Sequence, residues 1–483
     1  GTLAVIAEAE LNVIPLPMEK GLGLLFFDSV EEALQASVAV ADLKPSAIEH
    51  IDRILFDQTR GQLAFQKARD LLRLDDQPCE SILMVEFQSE VKDRLEQLRK
   101  RALGQRCLML SENDSMNLVW HLRKAGLSLL TGCKGSAKPT TGIEDTAVRP
   151  EVLPEYVGAL KRILDAQQLQ ACFYGHAASG LLHVRPVIDL QKSDDVSRFR
   201  LVADEVSALV KSFKGSLAAE HGVGMARTEY LADHVGPELI ELHHEIKRAF
   251  DPEWRLNPGK VIDQGKYRFD SHLRRSIDTQ TSPTSFSTEL QFAVKDSHWS
   301  DNLAQCNGCG GCRKTTGTMC PTFQATGEEV MSTRGRANLI RSWTQTTDKD
   351  SASNVILQEA LKHCLSCKAC KTECPSNVDI ALIKAELQHA IRKHSGVSMA
   401  QWLFGHVDQM AELGSLFPHW SNRIQSWAPL RRWIEKPLNI SPKRPLPNFT
   451  EQRFDHWFDQ RHSPEGSNRK LVYLWDDTFV RHY

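Results

Sequence analysis

Long apolar runs are missing from this 483-residue sequence. The richest, "GLGLLFF" at 21–27, falls far short of the roughly 18 residues of a membrane-spanning helix and reads as a core strand. A secretory leader is missing too, because "GTLAVIAEAELNVIPLP" has neither a basic start nor a small-residue cleavage site. Charge of one sign is also lacking. Lys and Arg total 59 against 61 Asp and Glu, a formal net charge of −2, so no broad basic field offers itself to nucleic acid. The initial Met is absent, and the chain opens inside an alternating pattern (Leu3, Val5, Ile6, Val13, Ile14). Residues 1–20 are therefore expected to be closing strands of a domain that starts earlier.

What is present is ordinary for a soluble globular chain: 41% apolar and 25% charged residues. The length allows about two to four domains. The twelve cysteines are unevenly placed. Cys79, Cys107, Cys133 and Cys172 stand singly and read as buried thiols. The other eight lie between Cys306 and Cys374. Without a leader, a disulfide framework has no oxidising compartment to form in, and the reducing cytosol is the expected setting.

From 21 to 263, strand-like and helix-like segments alternate. "GLLFFDSV" runs into the helical "VEEALQASVAVADL", and "SILMVEFQ" into "SEVKDRLEQLRKRAL". "DSMNLVWHLRKAGLSLL" is helical, "CFYGH…LLHVRPVIDL" a hairpin, and "DVSRFRLVADEVSALVKSF" a long amphipathic helix closed by Gly215 as its C-cap. This order predicts an α+β domain, an antiparallel sheet with helices on one face. A linker is expected over 264–299, because "RRSIDTQTSPTSFSTE" is rich in Ser and Thr. The cysteine-rich domain follows at 300–395, then a helical connector at 396–468 bearing Trp402, Trp420, Trp427, Trp433 and Trp457. "NRKLVYLWDDTFVRHY" reads as a new strand opening a further domain at 469–483.

The cysteines form two related groups. The first is Cys306-x2-Cys309-x2-Cys312-x7-Cys320-Pro321; the second is Cys364-x2-Cys367-x2-Cys370-x3-Cys374-Pro375. A triplet spaced by three wraps one cubic cluster, and the trailing Cys-Pro commonly ligates the other one. The spacing thus predicts one [4Fe–4S] centre on Cys306, Cys309, Cys312 and Cys374, and a second on Cys364, Cys367, Cys370 and Cys320. Structural zinc usually presents separated Cys-x2-Cys pairs instead.

"GHAASGLLHVRP" carries a second constellation. A two-residue turn at Ser179-Gly180 would place His176 opposite His183, with Cβ atoms about 5 Å apart. Arg185 would share their face. In "GSLAAEHGVGMARTEYL", Glu220 and His221 adjoin Gly222 and Gly224, where backbone can approach a ligand. Two histidines and a glutamate with an open position form a catalytic zinc-type ligand set, leaving His221 free as a base. On spacing alone, a pair of core histidines and an ordinary Glu-His turn remain open as the alternative.

"GHAASGLLHVRP", "AAEHGVG" and "FDPEWRLNPGKVI" together resemble the C-terminal domain of FAD-linked oxidases of the vanillyl-alcohol oxidase superfamily, of the D-2-hydroxyacid dehydrogenase type. "CNGCGGC…MCP" and "CLSCKACKTECP" resemble the α-helical two-cluster ferredoxin domain of a glycolate oxidase iron–sulfur subunit. The closing "LVYLWDDTFVRHY" is similar to the start of the cysteine-rich domain that follows there.

The resemblance implies a divalent metal, zinc by preference, on His176, His183 and Glu220, with His221 as catalytic base and substrate contact. Arg123 and Arg185 would hold substrate carboxylates, and Asn257 would touch FAD, which is held mainly by a preceding domain. The smaller relatives carry Asn where Arg185 stands, and Thr and Lys where Leu127 and Ile143 stand. The implied reaction oxidises a D-2-hydroxyacid (lactate, 2-hydroxyglutarate or glycolate type) and sends electrons from flavin through both clusters. The implied partner is a quinone or cytochrome acceptor, reached from the cytoplasm or the inner-membrane surface, and a homo-oligomer fits as well. A non-catalytic electron-transfer module is the rival reading.

Overall fold

Seven strands pair antiparallel throughout in the order β4-β1-β3-β2-β6-β7-β5. They are β1 (Gly21–Phe27), β2 (Ala47–Asp52), β3 (Ser81–Phe87), β4 (Arg106–Leu110), β5 (Lys138–Pro139), β6 (Ala171–His176) and β7 (His183–Ile188). The computed structural model describes residues 1–133, 135–273, 288–290, 296, 298–345, 351–374, 376–438, 440–461 and 472–483.

Helices cover both faces of the sheet, not one as the element order suggested. On one side Leu25, Phe27, Leu83 and Val85 pack with the helices Val30–Ala39, Val91–Lys100, Leu153–Ala166 and Ser193–Ser212. On the other, Leu22, Leu24, Phe26 and Met84 meet Leu63–Leu72, Asn113–Lys124 and Gly126–Thr131. Every residue of β1 and β3 is buried, which is why both read as continuous apolar runs and not as alternating ones. Gly21 and Gly23 let the Val91–Lys100 helix come close, since a Cβ there would meet Val91 and Leu98 at 2.4 and 2.3 Å.

Three local expectations change. Residues 1–20 form no strand, and Val5, Ile6, Val13 and Ile14 are exposed; alternation alone does not make a strand without a partner edge to pair with. The long helix Ser193–Ser212 ends through Lys214, which takes the left-handed conformation (φ 52°) assigned to Gly215. Gly215 donates to the Val210 carbonyl and is small because a Cβ would meet the Ala147 carbonyl oxygen at 2.4 Å. Residues 472–477 lie in neither strand nor helix, and Thr478–His482 is helical because the Asp477 carboxylate caps it through the Val480 N–H at 2.8 Å.

The chain divides into two units, Gly1–Glu386 and Leu387–Tyr483. The first includes the sheet and the cysteine-bearing segment, which is helical with no strand among its described residues. Thr131 and Ser376 join them by a 3.0 Å hydroxyl contact, and Ser376 also donates to the Ser128 carbonyl at 3.1 Å. Most of the expected linker at 264–299 lies outside the described residues. The second unit is helical over Met399–Gly405, Val407–Leu416, Pro418–Gln425 and Ala428–Leu438, with Trp402, Trp420, Trp427 and Trp433 exposed. Among the described residues, no helix is long and apolar enough to cross a membrane.

Candidate active site

The histidine hairpin is wider than a two-residue turn. Tyr174, not His176, stands opposite His183, and Cys172 opposite Arg185. A 3-10 turn at Ala177–Ser179 with Gly180 left-handed (φ 71°) fills the tip, because the Leu181 N–H returns to the His176 carbonyl at 3.2 Å. The predicted register is therefore off by two residues. A two-residue slip preserves the face, and the two imidazoles remain neighbours, with ring centroids 5.6 Å apart.

Glu220 meets both rings. Its Oε1 lies 3.3 Å from His176 Nε2 and 3.1 Å from His183 Nε2. His221 stacks on His183 at 4.9 Å and holds its Nε2 3.9 Å from the same oxygen. Asp145, fully buried, fixes this loop by accepting the backbone N–H groups of Glu220 at 3.2 Å and His221 at 2.9 Å. Asp145, His183, Glu220 and His221 offer ligand atoms all within 4.8 Å of one another. Gly222 and Gly224 serve conformation here, with φ of 77° and 56°; a Cβ at either would meet nothing within 4 Å.

Behind these groups stand residues that the sequence did not single out. Glu49 on β2 pairs directly with His176 across the strands and takes its Nδ1 at 2.6 Å. Arg123 from the Asn113–Lys124 helix donates Nε to Glu49 at 2.9 Å and holds Nη2 2.7 Å from the same carboxylate oxygen. The substrate arginine implied by the resemblance is thus already engaged by an acid. Glu144 takes His221 Nδ1 at 3.3 Å. The only sequence hint of Glu49 was the density of ionisable groups in "AIEHID"; pairing across strands is invisible in one chain segment.

The electrostatics follow from these contacts. Burial, with the charges of His221 and Arg185, lowers the His183 pKa to about 4, so its ring is neutral near pH 7. The hydrogen bond to Glu49 raises His176, against the effect of burial. The bond to Glu144 likewise raises His221. Burial would raise Glu144, yet His221, Arg227 and the Gly142 N–H together bring it down to about 2.

The cysteine groups repeat one backbone conformation. Gly308 and Gly310 have φ of 81° and 75°, and their counterparts Ser366 and Lys368 have 53° and 61°. Non-glycine residues rarely adopt this region, and they cluster at functional sites when they do. Helix starts face the sulfurs. The N–H groups of Thr333 and Arg334 donate to Cys320 and Cys312 at 3.1 and 3.3 Å, and those of Ile380 and Ala381 to Cys370. Burial pushes the Cys374 thiol up to about 11, and the charges of Cys309 and Cys306 push it the same way. Burial and the field of Cys320 act alike on Cys370, at about 12. Burial raises the Cys320 thiol as well, and the field of Cys312 acts in the same direction. Asn257, expected to touch FAD, is exposed with φ 46° and donates to the Gly1 carbonyl at 3.2 Å.

Comparison with known proteins gives these features a setting. Residues 302–378 match the 4Fe-4S dicluster domain. The chain is 27% identical to a D-2-hydroxyglutarate dehydrogenase of Pantoea ananatis, over 89% of this chain and 46% of the relative. It is 26% identical to the enzyme of that name from Escherichia coli, over all of this chain and 53% of the relative. A glycolate oxidase subunit GlcD of Bacillus subtilis is 26% identical over 54% of this chain and 55% of the subunit. The chain thus spans about half the length of the curated dehydrogenases it matches. Residues 16–261, half of the chain, match the model described as FAD linked oxidases, C-terminal domain. They hold the whole sheet and the histidine cluster, and the chain belongs to that family.

Proposed function

We propose that this chain is the substrate-side and iron–sulfur part of an FAD-dependent oxidoreductase that converts a D-2-hydroxyacid into the 2-oxoacid. The observation that carries this reading is the meeting of His176 Nε2 and His183 Nε2 on one Glu220 oxygen, at 3.3 and 3.1 Å. Ligand atoms on a tetrahedral ion with bonds of about 2.0–2.1 Å stand about 3.3–3.4 Å apart. Two nitrogens and a carboxylate oxygen suit zinc. Asp145 spends its oxygens on backbone N–H groups and is the weaker donor.

When bound, the metal would lower the pKa of the substrate hydroxyl, and FAD would accept the hydride. The remaining work belongs to the chain. Glu49 holds His176 by Nδ1, which turns Nε2 toward Glu220. His221, held at Nδ1 by Glu144, takes the hydroxyl proton at Nε2 as the α-hydrogen departs with its electron pair. Arg123 and Arg185 supply positive charge beside the histidines. Two [4Fe–4S] centres, held by Cys306, Cys309, Cys312 and Cys374 and by Cys364, Cys367, Cys370 and Cys320, would carry the electrons singly toward an acceptor, a quinone or cytochrome.

The natural protein, mixed without air with D-lactate, glycolate and D-2-hydroxyglutarate in turn, tests the reading. Bleaching of flavin absorbance followed by cluster reduction is expected with at least one of them. A flavin that stays oxidised with every D-2-hydroxyacid would leave only the electron-transfer role.

A further inference from the structure

The second unit concentrates positive charge in a chain whose net charge is −2. Between 423 and 448 stand Arg423, Arg431, Arg432, Lys436, Lys443 and Arg444, with Glu435 as the lone acid. Bases on an open surface are ordinarily solvated and form no site. Here Arg431, Arg432, Lys443 and Arg444 line a cavity of about 450 Å³, and no acid lines it with them. None of the four joins an ion pair among the described residues.

Arg431 makes this more than a basic surface. It is 5% exposed on the helix Ala428–Leu438. Its Nη2 donates to the Ser441 and Arg444 carbonyls at 2.8 and 2.5 Å, while its buried Nη1 has no acceptor. A guanidinium keeps its proton and carbonyl dipoles do not neutralise it, so a buried one without a carboxylate calls for an anion. The cavity is also formed in advance. Arg431 fastens the loop at 441 and 444, and Pro442, Pro445 and Pro447 restrict its backbone. Beyond them Asn422 donates to the Phe449 carbonyl at 2.9 Å and accepts its N–H at 2.8 Å. A ligand need not order the loop on entry.

Charge and size choose the anion. One phosphoryl group carries roughly −1.5 to −2 at pH 7. Two of them balance four cationic side chains, and the cavity has the volume of a small-molecule site. We infer that it binds an anion bearing two phosphoryl groups, with the guanidinium forks pairing with oxygens and Lys443 acting as a point charge. The site shares no residue with the histidine cluster or the cysteine segment.

Pyrophosphate is the probe, titrated by calorimetry into the natural protein beside inorganic phosphate. One equivalent of pyrophosphate is expected to bind, at least about ten-fold more tightly than phosphate. R432Q/K443Q removes two exposed side chains that make no hydrogen bond among the described residues, and should weaken pyrophosphate about ten-fold or more. R431Q should do the same; circular dichroism reports whether it folds, and if it does not, the double variant carries the test. R423Q, outside the cavity, should stay within about two-fold of wild type. Vesicles of phosphatidylcholine with diphosphatidylglycerol identify the source. Cosedimentation that pyrophosphate reverses puts the two groups on a lipid, and pyrophosphate binding without cosedimentation puts them on a soluble molecule; either supports the site. Equal affinity for phosphate, undiminished binding in R432Q/K443Q, a loss in R423Q as large as theirs, or no binding of pyrophosphate at all overturns the inference.

Discussion

Single side chains in the site matter through the ring nitrogen each presents. His183 is neutral because burial and neighbouring positive charge oppose protonation, and Nε2 is the nitrogen nearest Glu220. His183→Ala in the natural enzyme should abolish turnover and lower bound zinc by one equivalent, with both clusters intact. Full activity with the zinc content unchanged would make the histidines ordinary core residues. Glu49→Gln tests the layer behind. The amide still accepts a hydrogen bond from His176 but no longer balances Arg123, so zinc affinity should fall about 10–100-fold, as for other outer-shell partners of metal-bound histidines. Competition with a fluorescent zinc chelator measures it, and an affinity equal to wild type would remove Glu49 from the site.

At the scale of elements, β2 carries Glu49, His50 and Asp52 within six residues, and all three are buried. His50 is fully buried against Ser81, and burial lowers its pKa to about 3. The folded value is depressed, so this stability is present above the unfolded value near 6.5 and is lost as pH falls toward 3. The slope is about 1.4 kcal/mol per pH unit below 6.5. His50→Gln should flatten that acid limb between pH 6.5 and 4.5 in calorimetric melts; parallel curves would mean the proton is taken up elsewhere.

The helix Thr333–Gln345 makes the corresponding argument for a cluster. Thr333 gives Cys320 both its N–H at 3.1 Å and a hydroxyl contact at 2.9 Å. Thr333→Val keeps the first and removes the second. A hydrogen bond is worth about 1 kcal/mol, and with four thiolates in both states the oxidised cluster loses less than the more negative reduced one. The midpoint potential should drop by about 40 mV in a titration followed by electron paramagnetic resonance. An unchanged midpoint would put the Cys320 sulfur outside the cluster.

Across the whole molecule, the wiring of the clusters is the open arrangement with the sharpest test. The fields of Cys306 and Cys309 act on Cys374, that of Cys320 on Cys370, and that of Cys312 on Cys320. The chain purified without air should carry about eight irons. Cys320→Ser should then impair the centre held by Cys364, Cys367 and Cys370 and spare the other. Selective loss of the first centre would mean that each triplet keeps its own trailing cysteine. The Thr131–Ser376 contact ties the segment two residues beyond Cys374 to the helix Gly126–Thr131.

The sequence by itself determined several of the elements and the chemistry-bearing types. Apolar runs marked β1 and β3, cysteine spacing marked the cluster segment, and histidines around a Ser-Gly tip marked the site; each is a local pattern written in consecutive residues. Tertiary structure decided the rest. The hairpin register depended on whether the chain closes in two residues or through a 3-10 turn, a choice made by Gly180 packing under the Val148 carbonyl, far away in sequence. Glu49 entered the site only when β2 paired with β6. Arg123 and Arg185 look alike in sequence, and what separates them is a carboxylate brought beside one and not the other. A buried charge is defined by its partner, and partners are assigned only when distant segments pack.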